Sequence, residues 1–124
     1  DERRSLAEME KMFLAVVEAY RGMGVGVEVE VLGVRPCRGD VNPKKLDDLA
    51  GRAEAIRRGY GIEIKPRDAQ STDANIPLAE GIPAITFGFY IGTGAHTSEE
   101  KIEIESLKTG LPMCAEFMLQ YFTK

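Results

Sequence analysis

The chain has 124 residues, of which 44% are hydrophobic and 29% charged, and its net charge is −4. These values fit one ordinary globular domain and exclude the basic stripe that a nucleic-acid-binding surface needs. No apolar run approaches the roughly 20 residues of a membrane span, and no signal peptide opens the chain. Cys37 and Cys114 lie in unlike contexts and are expected to be reduced thiols. We therefore expect a soluble, cytoplasmic protein that contacts neither nucleic acid nor membrane.

The first part of the chain predicts a helix followed by a strand. Apolar residues recur at three- and four-residue spacing through residues 2–21, which predicts an amphipathic helix that Gly22 and Gly24 end. Its expected buried face consists of Leu6, Met9, Phe13, Val16, Val17 and Tyr20. Valines then alternate with glutamate or glycine over residues 25–31, as in a half-buried strand. The polar stretch 33–42 is the best candidate for a domain boundary.

The second part predicts alternating helices and strands. Asn42 and Pro43 begin a helix that Gly59 or Gly61 ends, and a short strand at residues 62–65 follows. A short helix reaching Glu80, an apolar strand over 83–89, an extended piece at 101–104 and a closing helix over 106–122 complete the order. The expected buried face of the closing helix consists of Leu107, Leu111, Cys114, Phe117, Met118 and Tyr121. This order predicts an α/β fold with a layered sheet and crossover helices.

His96 is the single histidine, and it lies in a glycine-containing loop between a predicted strand and the closing helix. Open α/β sheets place their chemistry at the carboxyl ends of strands, and a neutral imidazole binds zinc through one nitrogen. Glu99 or Glu100 could hold the other ring nitrogen. Catalytic zinc needs about three protein ligands. The sequence therefore predicts part of a metal site, with a surface or hydrogen-bonding histidine as the alternative.

Several motifs, taken in order, resemble the carboxyl-terminal part of the dinuclear-zinc peptidases, the family of glutamate carboxypeptidases, peptidase T, aminoacylase and succinyl-diaminopimelate desuccinylase. The segment Ser71-Thr72-Asp73-Ala74-Asn75 is similar to the family's turn before a short helix, although Ser71 stands where the family has glycine. The stretches Gly81-Ile-Pro83 and Gly94-Ala-His96-Thr-Ser-Glu99-Glu100 follow, and then Ile102-Glu-Ile104. Residues 1–36 are similar, more weakly, to half of the family's ferredoxin-like lid domain.

The resemblance implies a role for each of these places. Residues 1–36 would be a partial lid and dimerisation domain, and residues 37–124 the carboxyl-terminal part of the catalytic domain. His96 would be the last metal ligand, while Arg35 would grip the substrate's terminal carboxylate with its planar guanidinium. Further substrate contacts would come from Ser71, Thr72, Asp73 and Asn75. Helix capping and turn chemistry would select the same four residue types, so that alternative stays open.

The sequence thus predicts part of a metal-dependent peptidase or amidohydrolase that acts on a peptide or an N-acyl amino acid. Two metal ions, zinc or alternatively cobalt or manganese, would activate a water molecule. The general base and the other ligands of the family lie amino-terminal to the lid, so we expect this piece to be inactive alone. We also expect a homodimer. The alternatives are a non-enzymatic dimerisation or binding module derived from the same fold, and an unrelated α/β domain with an incidental His96.

Overall fold

The computed structural model describes residues 2–122, which form a helix-rich mixed α/β structure. The helices are α1 (Glu2–Gly22), α2 (Pro43–Gly59), α3 (Asn75–Ala79) and α4 (Leu107–Leu119), with one turn of 3-10 helix at Ile104–Ser106 before α4. Two short strands, β1 (Gly92–Thr93) and β2 (Lys101–Ile102), pair antiparallel, with Gly92 opposite Ile102. All four predicted helices are therefore present.

The α1 helix matches its predicted span, but the prediction that its apolar face is buried is wrong. Val17 is 5% exposed, whereas Met9 is 67% exposed and Phe13 is 54% exposed. Leu6, Val16 and Tyr20 are exposed as well. Periodicity predicts an apolar stripe, but burial also needs a partner element that covers it, and of this stripe only Val17 is buried within residues 2–122. No helix in this part of the chain is both long enough and apolar enough to cross a membrane.

The core lies between α2 and α4, which pack together. The Asn42 side chain caps α2 by accepting a hydrogen bond from the Lys45 N–H at 3.0 Å, and Pro43 takes the first helical position as predicted. Ala53 and Ile56 are buried on α2, and Met113 is fully buried on α4. This small apolar cluster positions the segments between the two helices.

The buried face of α4 differs in part from the prediction. Leu107, Cys114 and Phe117 are half-buried, but Leu111, Met118 and Tyr121 are exposed. The residues that are fully buried are Gly110 and Met113. The contact surface of α4 is therefore rotated about the helix axis from the stripe that the most apolar residues define. The cause is the approach of residues 83–89, whose backbone fits only over a position without a side chain.

The predicted strands at 25–31, 62–65 and 83–89 are not formed within residues 2–122, and neither is the layered sheet. A strand exists only when a neighbouring strand takes its backbone hydrogen bonds, and in parallel sheets that neighbour is distant in sequence. Residues 83–89 pack on α4 instead: the Phe87 and Phe117 rings meet edge to face, with centroids 4.9 Å apart. The predicted extended piece at 101–104 is β2 for its first half and 3-10 helix after that.

Candidate functional site

The turn before α3 is closed by the side chain of Asn75. Its Oδ1 accepts the Thr72 N–H at 2.9 Å, and the backbone N–H of Asn75 donates to the Thr72 carbonyl at 3.0 Å. The Thr72 hydroxyl in turn is hydrogen-bonded to the Thr86 hydroxyl at 2.9 Å. The residue types that the sequence offered as substrate contacts therefore also do the structural work of the turn. With five residues, α3 is too short for us to assign an anion site to its N-terminus.

The same asparagine ties the turn to the segment that carries Arg35. The Nδ2 of Asn75 donates to the Pro36 carbonyl at 3.0 Å. One residue earlier, Nη1 of Arg35 lies 3.4 Å from Oδ1 of Asp73. The Asp73 side chain is 99% exposed and that of Arg35 is 44% exposed, so the ion pair sits at the surface. Arg35, Asp73 and Asn75, predicted to share one function, are thus brought together.

An open pocket of about 430 Å³ lies beside this ion pair. Three segments line it: Ser5, Leu6 and Met9 from α1, residues 35–37, and Ser71 with Asn75. Its volume falls in the range of small-molecule sites. Of the predicted substrate residues, Arg35, Ser71 and Asn75 line the pocket. Asp73 pairs with Arg35, and the Thr72 hydroxyl is hydrogen-bonded to Thr86.

Sequence reasoning missed the contribution of α1 to this pocket. The guanidinium of Arg3 donates from Nη2 to the Ala79 carbonyl at 3.3 Å, which fastens the start of α1 to the end of α3. Leu6 and Met9 follow on the next turn and form the apolar side of the pocket. The amphipathic pattern of α1 was the available signal, because it placed Leu6 and Met9 on one face, but it could not say what that face meets.

His96 lies elsewhere, in the loop of residues 94–100 that joins β1 to β2. Its φ of 65° is left-handed, as is that of Gly94 at 69°. The backbone N–H of His96 donates to Oε2 of Glu100 at 3.2 Å, so Glu100 holds the backbone and not the ring. Thr97 Oγ1 donates to the Gly94 carbonyl at 2.7 Å and tightens the same loop. No hydrogen bond or ion pair within residues 2–122 joins His96 to Arg35 or to the 71–75 turn.

The residues around His96 do not make a zinc site by themselves. Within residues 2–122, no group of three or more histidine, cysteine, aspartate or glutamate side chains is placed to hold a metal ion. Catalytic zinc uses about three protein ligands. An exposed imidazole on a hairpin tip fits the role of one ligand in a site completed by other residues, and no more than that.

A pair of short ionic contacts made by Arg67 lies away from the residues that line the pocket. Arg67 bonds through Nε to Glu54 at 2.5 Å and through Nη1 to Asp47 at 2.6 Å, which clips the stretch after residue 62 onto α2. The hydrogen bond from Arg67 lowers the pKa of the Glu54 carboxyl below its ordinary value. The sequence showed Arg67 only as one scattered charge, because its partners lie in a different element.

The chemistry of the pocket follows from its charges. Among the lining residues that the structure describes, Arg35 is the charged one, and the rest are neutral polar or apolar. A guanidinium at the edge of an apolar pocket can bind a carboxylate through two parallel hydrogen bonds. Comparison of the chain with protein-family models, with curated proteins and with solved structures finds no match.

Proposed function

We propose that the chain is part of a metal-dependent peptidase or amidohydrolase in which Arg35 binds the free carboxylate of a peptide or an N-acyl amino acid. The observation that carries the proposal is that Arg35 lines one pocket together with Ser71 and Asn75 of a turn that is distant from it in sequence. The resemblance of the 71–75 turn and the His96 loop to the dinuclear-zinc peptidases supports the same reaction class. Free thiols at Cys37 and Cys114 agree with the cytoplasmic location that we propose.

The contact between Arg35 and Asp73 supports a carboxylate ligand in particular. In this geometry the Asp73 carboxylate lies where a substrate carboxylate would meet the guanidinium, at 3.4 Å from Nη1. Ion pairs between exposed side chains contribute little to stability, so a substrate that also fills the pocket can displace Asp73 at low cost. Asn75 acts here as a positioning residue, because its bond to the Pro36 carbonyl holds the Arg35 segment against the turn.

The metal would supply an activated water and a polarised carbonyl when bound, as such ions do in hydrolases. His96 would be one of its ligands. Its side chain is exposed at the end of the β1–β2 hairpin, and the tight turn at Gly94 and Thr97 fixes the backbone behind it. The remaining ligands would come from residues outside this chain.

The enzyme proposal is tested in the protein that contains this chain, with an N-acetyl amino acid and its carboxamide as substrates. Arg35→Ala should lower kcat/KM for the free acid, by less than the roughly 2–5 kcal/mol of a buried charge pair, because the Arg35 side chain is 44% exposed. The carboxamide should be hydrolysed almost as before. His96→Ala should lower kcat for both substrates. An equal loss on both substrates in Arg35→Ala would show that the carboxylate role is wrong.

A second function, dimerisation through α1, is favoured by the exposed face of this helix. Phe13, Val16 and Tyr20 are each half exposed or more, and no strand within residues 2–122 pairs with residues 25–31, which follow this helix in sequence. Large exposed apolar surfaces and unpaired backbone are typical of association sites. We propose that a second copy of the chain covers this face, whether or not the protein is also an enzyme.

Light scattering coupled to size-exclusion chromatography, over a dilution series, tests the association. Wild type should elute with a dimer mass, and Phe13→Glu should elute as a monomer. Lys11→Gln on the same helix changes the net charge by the same amount and should stay dimeric. Lys11 lies off the apolar face and forms an ion pair with Glu8, with 3.5 Å between Nζ and Oε1. A monomer mass for wild type at every concentration would refute the proposed dimer.

A further inference from the structure

We infer that the Arg35 pocket selects a ligand whose carboxylate-bearing residue has an apolar side chain, and that Leu6 and Met9 of α1 form the wall that recognises it. This inference rests on the carboxylate function proposed above and adds the substrate class. It assigns to α1 a direct role in specificity in addition to its role as a docking surface.

The wall follows from the spacing of the two residues. Leu6 and Met9 are three residues apart on α1, so their side chains are neighbours on one helical face. Both line the pocket, together with Pro36 next to Arg35. A ligand whose carboxylate meets the guanidinium therefore has an aliphatic surface beside its α-carbon. Methionine, unbranched and polarizable, adapts to side chains of different shape.

The charges of the pocket disfavour the other side-chain classes. Arg35 is the one cation among the lining residues, and the ligand's own carboxylate occupies it. An acidic side chain would find no second cation among the described residues that line the pocket, because the nearby Arg3 guanidinium donates to the Ala79 carbonyl, and it would lie close to the Asp73 carboxylate. A basic side chain would be repelled by Arg35 unless it reached past the pocket to Asp73. An apolar side chain meets none of these penalties.

A hydrogen bond at the start of α1 positions Leu6 and Met9 at the pocket. Arg3 anchors the first turn of α1 to the Ala79 carbonyl at the end of α3, and Leu6 and Met9 lie one and two turns further along. The pocket volume of about 430 Å³ accommodates an amino-acid-sized ligand. Burying one methylene is worth roughly a fourfold gain in affinity. Because the pocket is open, the side chain of a bound ligand is only partly buried. We therefore expect the leucine derivative to bind about tenfold more tightly than the alanine derivative, which is less than full burial of its additional carbons would give.

The test is a calorimetric titration of the protein that contains this chain, with a chelator present so that the ligands are not hydrolysed. The probes are N-acetylleucine, N-acetylalanine, N-acetylaspartate and N-acetylleucinamide. Met9→Asp is the test variant and Met12→Asp is its matched control. The two methionines are exposed to the same degree, 67% and 69%, on the same helix, but only Met9 lines the pocket. Neither substitution empties a buried position, so both variants should fold.

We expect N-acetylleucine to bind about tenfold more tightly than N-acetylalanine, with N-acetylaspartate weakest. Met9→Asp should remove the preference for leucine, and Met12→Asp should keep it. Asp73→Asn should tighten all three carboxylates by up to about fivefold, because an internal competitor for Arg35 is lost.

The two levels of the proposal fail in different ways. Equal affinity for the leucine, alanine and aspartate derivatives, or loss of the preference in Met12→Asp, would overturn the apolar wall and leave the carboxylate function standing. Equal affinity for N-acetylleucine and N-acetylleucinamide would overturn the carboxylate function and, with it, the substrate class inferred from it. Absence of binding by all four probes would overturn both.

Discussion

Gly110 offers a sharp test of how residues 83–89 pack on α4. It is buried in the first turn of that helix, and a methyl group there would overlap the carbonyl oxygen of Phe89 and lie 2.6 Å from its carbonyl carbon. The obstacle is backbone and not the end of a flexible side chain, so it cannot rotate away. Gly110→Ala should therefore force α4 and the 83–89 segment apart.

The magnitude is a balance of two opposing effects. Alanine is about 1 kcal/mol more favourable than glycine inside a helix, which alone would stabilise the protein. Overpacking typically costs about 1–3 kcal/mol, and a contact with fixed backbone belongs at the upper end of that range. The expected net result is a loss of about 2 kcal/mol in the free energy of unfolding.

The chain contains a matched control in Gly51, in the middle of α2. A methyl group there would meet nothing within 4 Å, so only the gain in helix propensity remains. Gly51→Ala should raise the free energy of unfolding by about 0.5–1 kcal/mol. Urea unfolding followed by far-ultraviolet circular dichroism gives both values from the shift in midpoint. If Gly110→Ala is as stable as Gly51→Ala, residues 83–89 do not lie against α4 and the packing described here is wrong.

Three further predictions concern side-chain contacts. Arg67 lowers the pKa of the Glu54 carboxyl, so this pair stabilises the fold above pH 4.5, and the stabilisation is lost as the pH falls through the lower folded pKa. In urea unfolding measured over a pH series, Arg67→Ala should remove this part of the loss of stability in acid. Burial, and then a hydrogen bond with Glu116, raise the pKa of Tyr60, so stability is lost as the pH rises from 10 through the folded pKa; Tyr60→Phe should flatten this alkaline loss, and an unchanged slope would contradict it. Asn75→Ala removes two hydrogen bonds and should cost about 1–3 kcal/mol in urea unfolding, whereas a loss of carboxylate binding with no loss of stability would show a direct ligand contact.

The helices were predictable because their signals are local. Asn42 followed by Pro43 specifies the start of α2, since a side-chain cap and a fixed φ act within one turn of the residues themselves. Gly22 is the last residue of α1, and residues 60–61 end α2, as the glycine spacing predicts. No knowledge of distant residues is needed for any of these boundaries.

The strands were not predictable in the same way. Residues 25–31 and 83–89 have the alternation or apolar run that strands show, but their pairing depends on neighbours far along the chain. Within residues 2–122 no strand pairs with the 83–89 segment, and its side chains pack against α4, as Phe87 does against Phe117. Gly110 lies opposite Phe89, where a side chain would not fit, so this glycine is required by the packing. The requirement can be recognised only once the two segments are known to meet.

The sequence predicted that certain polar residues come together, and their roles stay a prediction. Arg35, Ser71 and Asn75 do meet at one pocket. The Asn75 side chain, however, accepts a hydrogen bond from the Thr72 N–H and donates one to the Pro36 carbonyl. Turn closure and ligand contact select the same polar residues, so sequence alone leaves the two roles open. The proposed carboxylate ligand rests instead on the charge of Arg35 and on its contact with the Asp73 carboxylate.

The apolar stripe of α1 shows why one pattern can serve two purposes. Leu6 and Met9 at its start line the pocket, while Phe13 and Val16 further along are exposed and free for a second copy. A dimer formed through Phe13 and Val16 would order α1 and leave its first turns on the pocket. If dimerisation holds Leu6 and Met9 in place and so raises the affinity of the pocket for its ligand, the bound ligand must raise the affinity of dimerisation by the same factor. Saturating N-acetylleucine should then shift the dimer to lower protein concentration, and Met9→Asp should abolish the shift without dissociating the dimer.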